Sequence, residues 1–202
     1  QLIKERSKNK IIFDENTKAC CVIDPGFEPD KIIKCIKENQ LKPYYILLTH
    51  GHGDHIGAVP QLKEAYPEAK VMIGANDQYR LANPHLSLLS MMGSQAVMTA
   101  DQTLKDGDII QIDSISIKVL DTPGHTEGGI SLLGSGVVFV GDTLFQGDVG
   151  RTDLPGGDGK KLVKSIQQKL YVLPDDTVVY PGHGPATSIG EEKRFNAYVR
   201  EM

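Results

Sequence analysis

Two rhythms of apolar and polar positions run along this 202-residue chain. Short apolar runs closed by Gly, Pro, Asn or Asp read as strands, and apolar residues three and four apart read as helices. The stretch "KIIFDENTKACCVIDPG" (10–26) predicts two strands joined at the Asp/Asn-rich "DENTK", with Pro25 and Gly26 ending the second. "EPDKIIKCIKENQ" follows as a helix, with Pro29 in its first turn and Ile32, Ile33 and Ile36 on one face. "YYILLT" (44–49) is a buried strand, "IGAVPQLKEAYPEA" (56–69) returns to helical spacing through Ile56, Val59 and Leu62, and "KVMIG" (70–74) is another short strand. "DGDIIQIDSISIKVLDTPGH" (106–125) predicts a hairpin turning near Asp113–Ser114, and "GISLLGSGVVFVGDTLF" (129–145) repeats it with Gly134–Gly136 as the turn. "GKKLVKSIQQKLYVLP" (159–174) is an amphipathic helix through Leu162, Val163, Ile166 and Leu170. "TVVYPGHG" (177–184) is a last buried strand and loop, and "GEEKRFNAYVREM" (190–202) reads as helical.

Residues 81–100 fit neither rhythm. Leu86, Leu88, Leu89, Met91, Met92 and Met98 make a Met-rich apolar stretch without a clean period. It reads either as a short helix packed on the core or as an adaptable wall beside a site. Elsewhere the strands fall in two blocks, each followed by helices. Two such halves stack sheet against sheet with helices outside, a four-layer αββα sandwich of α/β (α+β) class forming a single domain over 1–202.

Composition narrows the function. Hydrophobic residues make up 40% and charged residues 24%, ordinary globular values. A net charge of −4 argues against a nucleic-acid partner. No apolar run approaches the ~18 residues of a membrane span, so no membrane is expected. The basic opening "QLIKERSKNK" has no apolar segment behind it and does not read as a signal peptide. Cys20, Cys21 and Cys35 offer no disulfide framework, and the adjacent pair should point to opposite faces of one strand. Reduced thiols suit a reducing compartment, which points to the cytosol. Homo-oligomerisation stays open.

The chemistry lies in the histidines. Of 6, five (His50, His52, His55, His125 and His183) each stand just after a predicted strand among glycines, and Asp54 and Asp142 share that setting. His85 alone stands apart, and no role is assigned to it. Strand-end loops are held rigidly by the sheet, and glycines let several ligands reach one point. Imidazole nitrogen and carboxylate oxygen are what zinc and similar cations take. Seven such groups are too many for one tetrahedral ion. They divide into His50, His52 and His125 for one metal and Asp54, His55 and His183 for a second, with Asp142 placed to bridge them.

The motifs "THGHGDH", "TPGHTEGG", "GDTLF" and "YPGHG" resemble, in order, those of the metallo-β-lactamase superfamily, over nearly the whole chain. Within it, "GDTLFQGDVGRTDLPGGD" and "YPGHGPATSIGEEKRFN" resemble the short glyoxalase II-like proteins, hydroxyacylglutathione hydrolases. The resemblance implies the αββα fold and two divalent metal ions, zinc first with iron or manganese as alternatives. It also implies hydrolysis of a small-molecule thioester such as S-lactoylglutathione by a hydroxide bridging the metals, which Asp54 would orient. Classical glyoxalase II adds a C-terminal helical domain, for which no counterpart is expected within these residues. Its first-strand "NCY" appears as Asn9–Ile11, and its Asn-Pro near the C-terminus as Asn196–Ala197. Two weaker assignments concern supporting residues. Asp24, ending a strand before Pro25, either orients a ligand histidine or merely starts a turn. Arg151 either faces the substrate or pairs with Asp153. Thr49 and Thr122 are expected to brace loops through backbone hydrogen bonds, and Tyr180 to be core. A rival reading keeps the fold but assigns one iron, held by His50, His125 and Asp142, to a persulfide dioxygenase. A metal-stabilised scaffold is a third.

Overall fold

The computed structural model describes residues 2–4, as backbone, and 10–200. Asn9, the first residue of the "NKI" comparison, lies outside them.

A first sheet holds β1 (Leu2–Lys4), β2 (Lys10–Phe13), β3 (Ala19–Ile23), β4 (Lys42–Leu48), β5 (Lys70–Gly74) and β6 (Gln102–Leu104), in that order. β2 pairs antiparallel with β1 and β3, whereas β3 to β6 run parallel. Parallel neighbours need crossovers. Two carry helices: α1 (Pro29–Glu38) between β3 and β4, and α2 (Gly53–Ile56) with α3 (Val59–Ala65) between β4 and β5. The third, from β5 to β6, begins with a helical turn, α4 (Gln78–Leu81), and then runs through the Met-rich segment.

β7 (Ile109–Ile112), β8 (Ile115–Asp121), β9 (Ile130–Leu133) and β10 (Val137–Gly141) form an antiparallel meander. A small hairpin follows, β11 (Leu144–Phe145) with β12 (Asp148–Val149), then α5 (Gly159–Ser165). β13 (Val178–Pro181) returns parallel to β10, β14 (Thr187–Ser188) pairs on its far side, and α6 (Ile189–Phe195) ends the order. The second sheet therefore reads β14-β13-β10-β9-β8-β7.

Burial follows from the layers. Cys21, Ile23, Leu47, Met72, Val119, Leu132 and Phe139 fill the space between the two sheets. Cys20, Val22, Ile46 and Val71 point the other way, under Ile32, Ile36, Val59 and Leu62 of the helices. On the far face Val138, Val140 and Val179 lie under Leu162, Ile166 and Ile189. This is the αββα sandwich, and Cys20 and Cys21 occupy opposite faces of β3. Strands apolar on both faces belong in the middle of such a stack. β7, at a sheet edge, alternates exposed Ile109 and Gln111 with buried Ile110 and Ile112. Tyr180 packs against the inter-sheet core and stacks on Phe139 at 5.3 Å.

Three expectations change in detail. The helix expected over 159–174 is α-helical only to Ser165; a π-helical turn, Ile166–Leu170, completes it. The C-terminal helix stops at Phe195, because Asn196 leaves helical conformation and its Oδ1 accepts from the backbone of Tyr198 and Val199. The Met-rich stretch is not one packed helix: Leu89 and Met98 are buried in the core, and Leu89 and Met92 lie against Gly53, beside the histidine loop. It holds one 3₁₀ turn, Leu89–Met92, and irregular chain clasped to the loop after β4, where the Gly53 amide donates to the Ser87 carbonyl at 2.6 Å.

Candidate metal centre

Four strand ends converge at one rim of the sandwich. β4 delivers Thr49, His50, Gly51 and His52, and α2, opening at Gly53, adds Asp54 and His55. β8 leads to His125, β10 to Asp142 and β13 to His183. Three groups have ligand-capable atoms within 4.8 Å of one another: His50, His52 and His125; His50, His55 and Asp142; and Asp54, His55 and His183. All seven residues singled out in the sequence meet here.

Asp142 lies between the two histidine sets. Its Oδ1 is 3.2 Å from His55 Nε2, and its Oδ2 is 3.4 Å from His183 Nε2 and 3.7 Å from His125 Nε2. Asp54 Oδ2 stands 3.2 Å from His183 Nε2 and 3.9 Å from His55 Nε2. His50, His52, His55 and His125 are buried. The His183 side chain is 47% exposed and that of Asp54 25%, so the centre opens to solvent on their side. Gly182 must lack a side chain, since a Cβ there would sit 2.2 Å from Asp142 Oδ1.

Hydrogen bonds behind the cluster fix the ring tautomers. Asp24 closes β3 with φ at +47°, and its carboxylate accepts from the Thr49 amide and the Thr49 hydroxyl, each at 2.7 Å. With its proton committed to Asp24, the Thr49 oxygen accepts from His50 Nδ1 at 3.1 Å, leaving a lone pair on His50 Nε2. Asp24 Oδ2 also lies 3.1 Å from His55 Nδ1, which fits the orienting reading of this residue. His125 Nδ1 is 2.8 Å from the Arg151 carbonyl; a carbonyl only accepts, so Nδ1 donates and Nε2 carries the lone pair. His52 Nδ1 faces His125 Nε2 at 2.9 Å. Among the described residues, His50 Nε2 and Asp142 Oδ1 are buried with no hydrogen-bond partner. Buried polar atoms left so, aimed into a cluster of nitrogen and oxygen donors, are what a bound cation would satisfy.

The electrostatics of the three-histidine set agree. Burial holds His50 well below the ordinary histidine value, and burial with the neighbouring His125 lowers His52 to about 3. His125 is lowered mainly by burial. Those three rings are thus neutral, the form that ligates. For His55, burial opposes the charge, but Asp142 and Asp24 together outweigh it and raise the group to about 10. Asp142 resists its own burial because His55 and His183 hold it ionised, far below the usual carboxylate range.

Other assignments divide. Arg151 grips Asp153 with two bonds of 2.7 Å on the surface, the pairing reading. Its carbonyl, not its guanidinium, reaches the centre. Thr49 and Thr122 brace the loops through main-chain bonds, the Ile130 amide to the Thr49 carbonyl and the Thr122 amide to the Gly129 carbonyl, each at 2.9 Å, but their hydroxyls bond side chains. The Thr49 hydroxyl serves Asp24 and His50, and that of Thr122 meets Ser131 Oγ at 2.9 Å. Both threonines are buried at strand ends where the neighbouring hydroxyls and carboxylate lie within reach. His85 is exposed, near Ser90 Oγ. The sequence reading missed Asp77 and Arg80, both fully buried against the ligand loops. Their one signal was a charged pair three apart directly after β5.

The sequence profile described as the metallo-beta-lactamase superfamily matches residues 9–183. The chain is 37% identical over 195 residues to "Hydroxyacylglutathione hydrolase GloC" of Haemophilus influenzae, covering 94% of this chain and 91% of that protein. It is 39% identical over 184 residues to "Probable metallo-hydrolase YqgX" of Bacillus subtilis, covering 89% and 87%. Among solved structures, BLEG-1 B3 metallo-beta-lactamase superposes with a TM-score of 0.90 at 34% identity, covering 98% of each chain. ETHE1 from Myxococcus xanthus gives 0.80 at 33%, covering 98% and 82%. TTHA1623 in a di-iron-bound form gives 0.81 at 34%, covering 97% and 98%.

Proposed function

The chain belongs to the metallo-beta-lactamase superfamily, and from that premise we propose that it hydrolyses a small-molecule thioester of the hydroxyacylglutathione type with two divalent cations. One observation carries this reading: two ligand-capable triads, His50–His52–His125 and Asp54–His55–His183, meet at a single carboxylate, Asp142. The printed name of the Haemophilus influenzae relative supports the thioester class. Zinc suits the nitrogen-rich donor set, and the di-iron form of TTHA1623 keeps iron in view.

Cations held there would supply a water acidified toward a pKa of ~7 and an electrophile for the carbonyl oxygen. The chain does the rest. His50 and His125 aim nitrogen lone pairs inward, and the Asp24–Thr49 relay keeps His50 from turning its proton to the centre. Asp54, a quarter exposed at the opening, would hold one of the cations and orient the attacking water. Thioester cleavage asks little more of the protein, since the departing thiolate, with a thiol pKa near ~8.5, leaves without a proton donor. Cys20 and Cys21 stay inert thiols: burial raises Cys20 to about 12 and Cys21 further. That suits a protein of the cytosol. Among the described residues, no helix is long and apolar enough to cross a membrane.

A panel of S-lactoylglutathione, simpler thioesters, lactams, lactones and phosphodiesters, run beside elemental analysis, tests the proposal. Two metals per chain with thioesters turned over fastest supports it. Full metal occupancy without thioester turnover rejects it. The second reading, a persulfide dioxygenase with one iron on His50, His125 and Asp142, draws equal support from the likeness to ETHE1. One iron per chain with oxygen uptake on glutathione persulfide would decide for it.

A further inference from the structure

A second carboxylate lies buried behind the ligand loops. Asp77 follows β5, and Arg80 lies one turn later in α4; both are fully buried. Every polar atom of the two side chains has work. Asp77 Oδ2 accepts from the Gly51 amide at 2.8 Å, and Oδ1 from the Gly128 amide at 2.9 Å and from Arg80 Nε at 3.3 Å. Arg80 Nη1 donates to the Leu86 carbonyl at 2.9 Å and Nη2 to the Pro155 carbonyl at 2.8 Å. Gly51 stands between His50 and His52, and Gly128 lies three residues after His125. We infer that Asp77 and Arg80 are a buried positioning pair that fixes the spacing of the His50–His52 and His125–Gly128 loops. The same pair ties the Met-rich segment and the loop around Pro155 to that frame.

The physical argument rests on what the pair replaces. A buried ion pair is seldom more stabilising than packed apolar side chains, so its use points to geometry. All four distant partners are backbone groups, which leaves the histidine side chains of those loops free to face the centre. The loops also seat directly on the pair: a Cβ on Gly51 would lie 2.7 Å from Arg80 Cβ, and one on Gly128 2.2 Å from the Asp77 nitrogen. In Asp77→Asn one oxygen becomes an NH₂ that must face a backbone N–H, releasing one loop. Groups that orient ligands from behind typically change metal affinity ~10–100-fold when removed.

The inference rests on reading the cluster as a metal site, not on the thioester proposal. Its test titrates Co²⁺ alone into the metal-free full chain, following visible absorption and competition with a chelator, well below the melting temperature of each variant. Asp77→Asn should bind Co²⁺ about tenfold or more weakly at the three-histidine set, with an altered spectrum. Arg80→Lys keeps the charge but cannot span both carbonyls. It should weaken the same site by a smaller factor, and it serves alone if Asp77→Asn does not fold. Variants that melt lower yet bind Co²⁺ with wild-type affinity and spectrum would assign the pair a purely structural role and overturn the inference. Failure of the unaltered chain to bind Co²⁺ would overturn the metal reading and this inference with it.

Discussion

Asp54 and Gly182 show how differently two residues of one cluster should respond to change. Asp54 is partly solvated and sits on a one-turn helix, so its carboxylate can be removed with little effect on packing. Asp54→Ala should lower thioester turnover about a hundredfold or more, the scale of a misplaced attacking water, while the circular dichroism spectrum stays unchanged. Near-normal turnover would take the role away from Asp54. Gly182→Ala adds one methyl group where Asp142 Oδ1 and His55 Cε1 would lie 2.2 and 2.6 Å away. Both must shift, so the variant should retain about one metal fewer per chain by elemental analysis after dialysis. At this scale the sequence was legible wherever a residue type repeats with a chemical purpose, as five histidines at strand ends do. It was silent where the purpose is served by geometry. Nothing in "ANDQYRLAN" announces that Asp77 will reach amides 26 and 51 residues away.

Elements carry these residues only as well as their packing holds. Phe139, in β10 three residues before Asp142, fills the inter-sheet layer and stacks on Tyr180. Phe139→Ala should lower unfolding free energy by about 3–5 kcal/mol, the usual loss for a buried ring, read from denaturant midpoints. Far from the centre, Asp14 staples the β2–β3 turn to the β7–β8 turn. It accepts from the amides of Asn16 at 2.8 Å, Thr17 at 3.2 Å and Ser114 at 3.2 Å, and from the Ser114 hydroxyl. Those bonds, the Ser114 hydroxyl first, hold its carboxyl well below the usual value. A lowered folded-state pKa means stabilisation present above the unfolded pKa of ~3.9 and lost as pH falls below it. Asp14→Asn should therefore be less stable than the parent at neutral pH, with the gap closing below about pH 3 in unfolding curves. A gap of constant size across that range would contradict the assignment. The long periodic elements were readable, because burial of a face imposes a period. The two- and three-residue strands β1, β6, β11, β12 and β14 were not, since so short a run carries no period. The Met-rich segment escaped for another reason. Leu89 and Met98 anchor it in the core, and its carbonyls accept from the Gly53 amide and the Arg80 guanidinium, an irregular path that carries no period.

For the molecule as a whole, the two strand blocks, the four layers and three hairpins, β2–β3, β7–β8 and β9–β10, followed from the order of strands, turns and helices. The order of strands across the longer connections did not: β3 to β6 run parallel in sequence, and β13 takes the place beside β10. That topology brings one strand end of the first sheet and three of the second to a common rim. Four buried imidazoles and the largely buried Asp142 stand there with donor atoms a few ångströms apart. Cations bound to that arrangement have no equivalent site in the unfolded chain, so their binding energy adds to folding energy. At a thousandfold excess over the dissociation constant one ion contributes about 4 kcal/mol. For a chain of this length each kcal/mol moves the midpoint by about 2–4 °C. Exhaustive chelation should thus lower the melting temperature by about 8–16 °C for one ion and further for a second. Returning zinc should restore it in two steps, the second saturating at two ions per chain. A midpoint unmoved by verified metal removal would mean that the rim is already rigid without cations, held by the Asp24 and Asp77 bonds alone. In that case the seven side chains contribute reactivity but no stability.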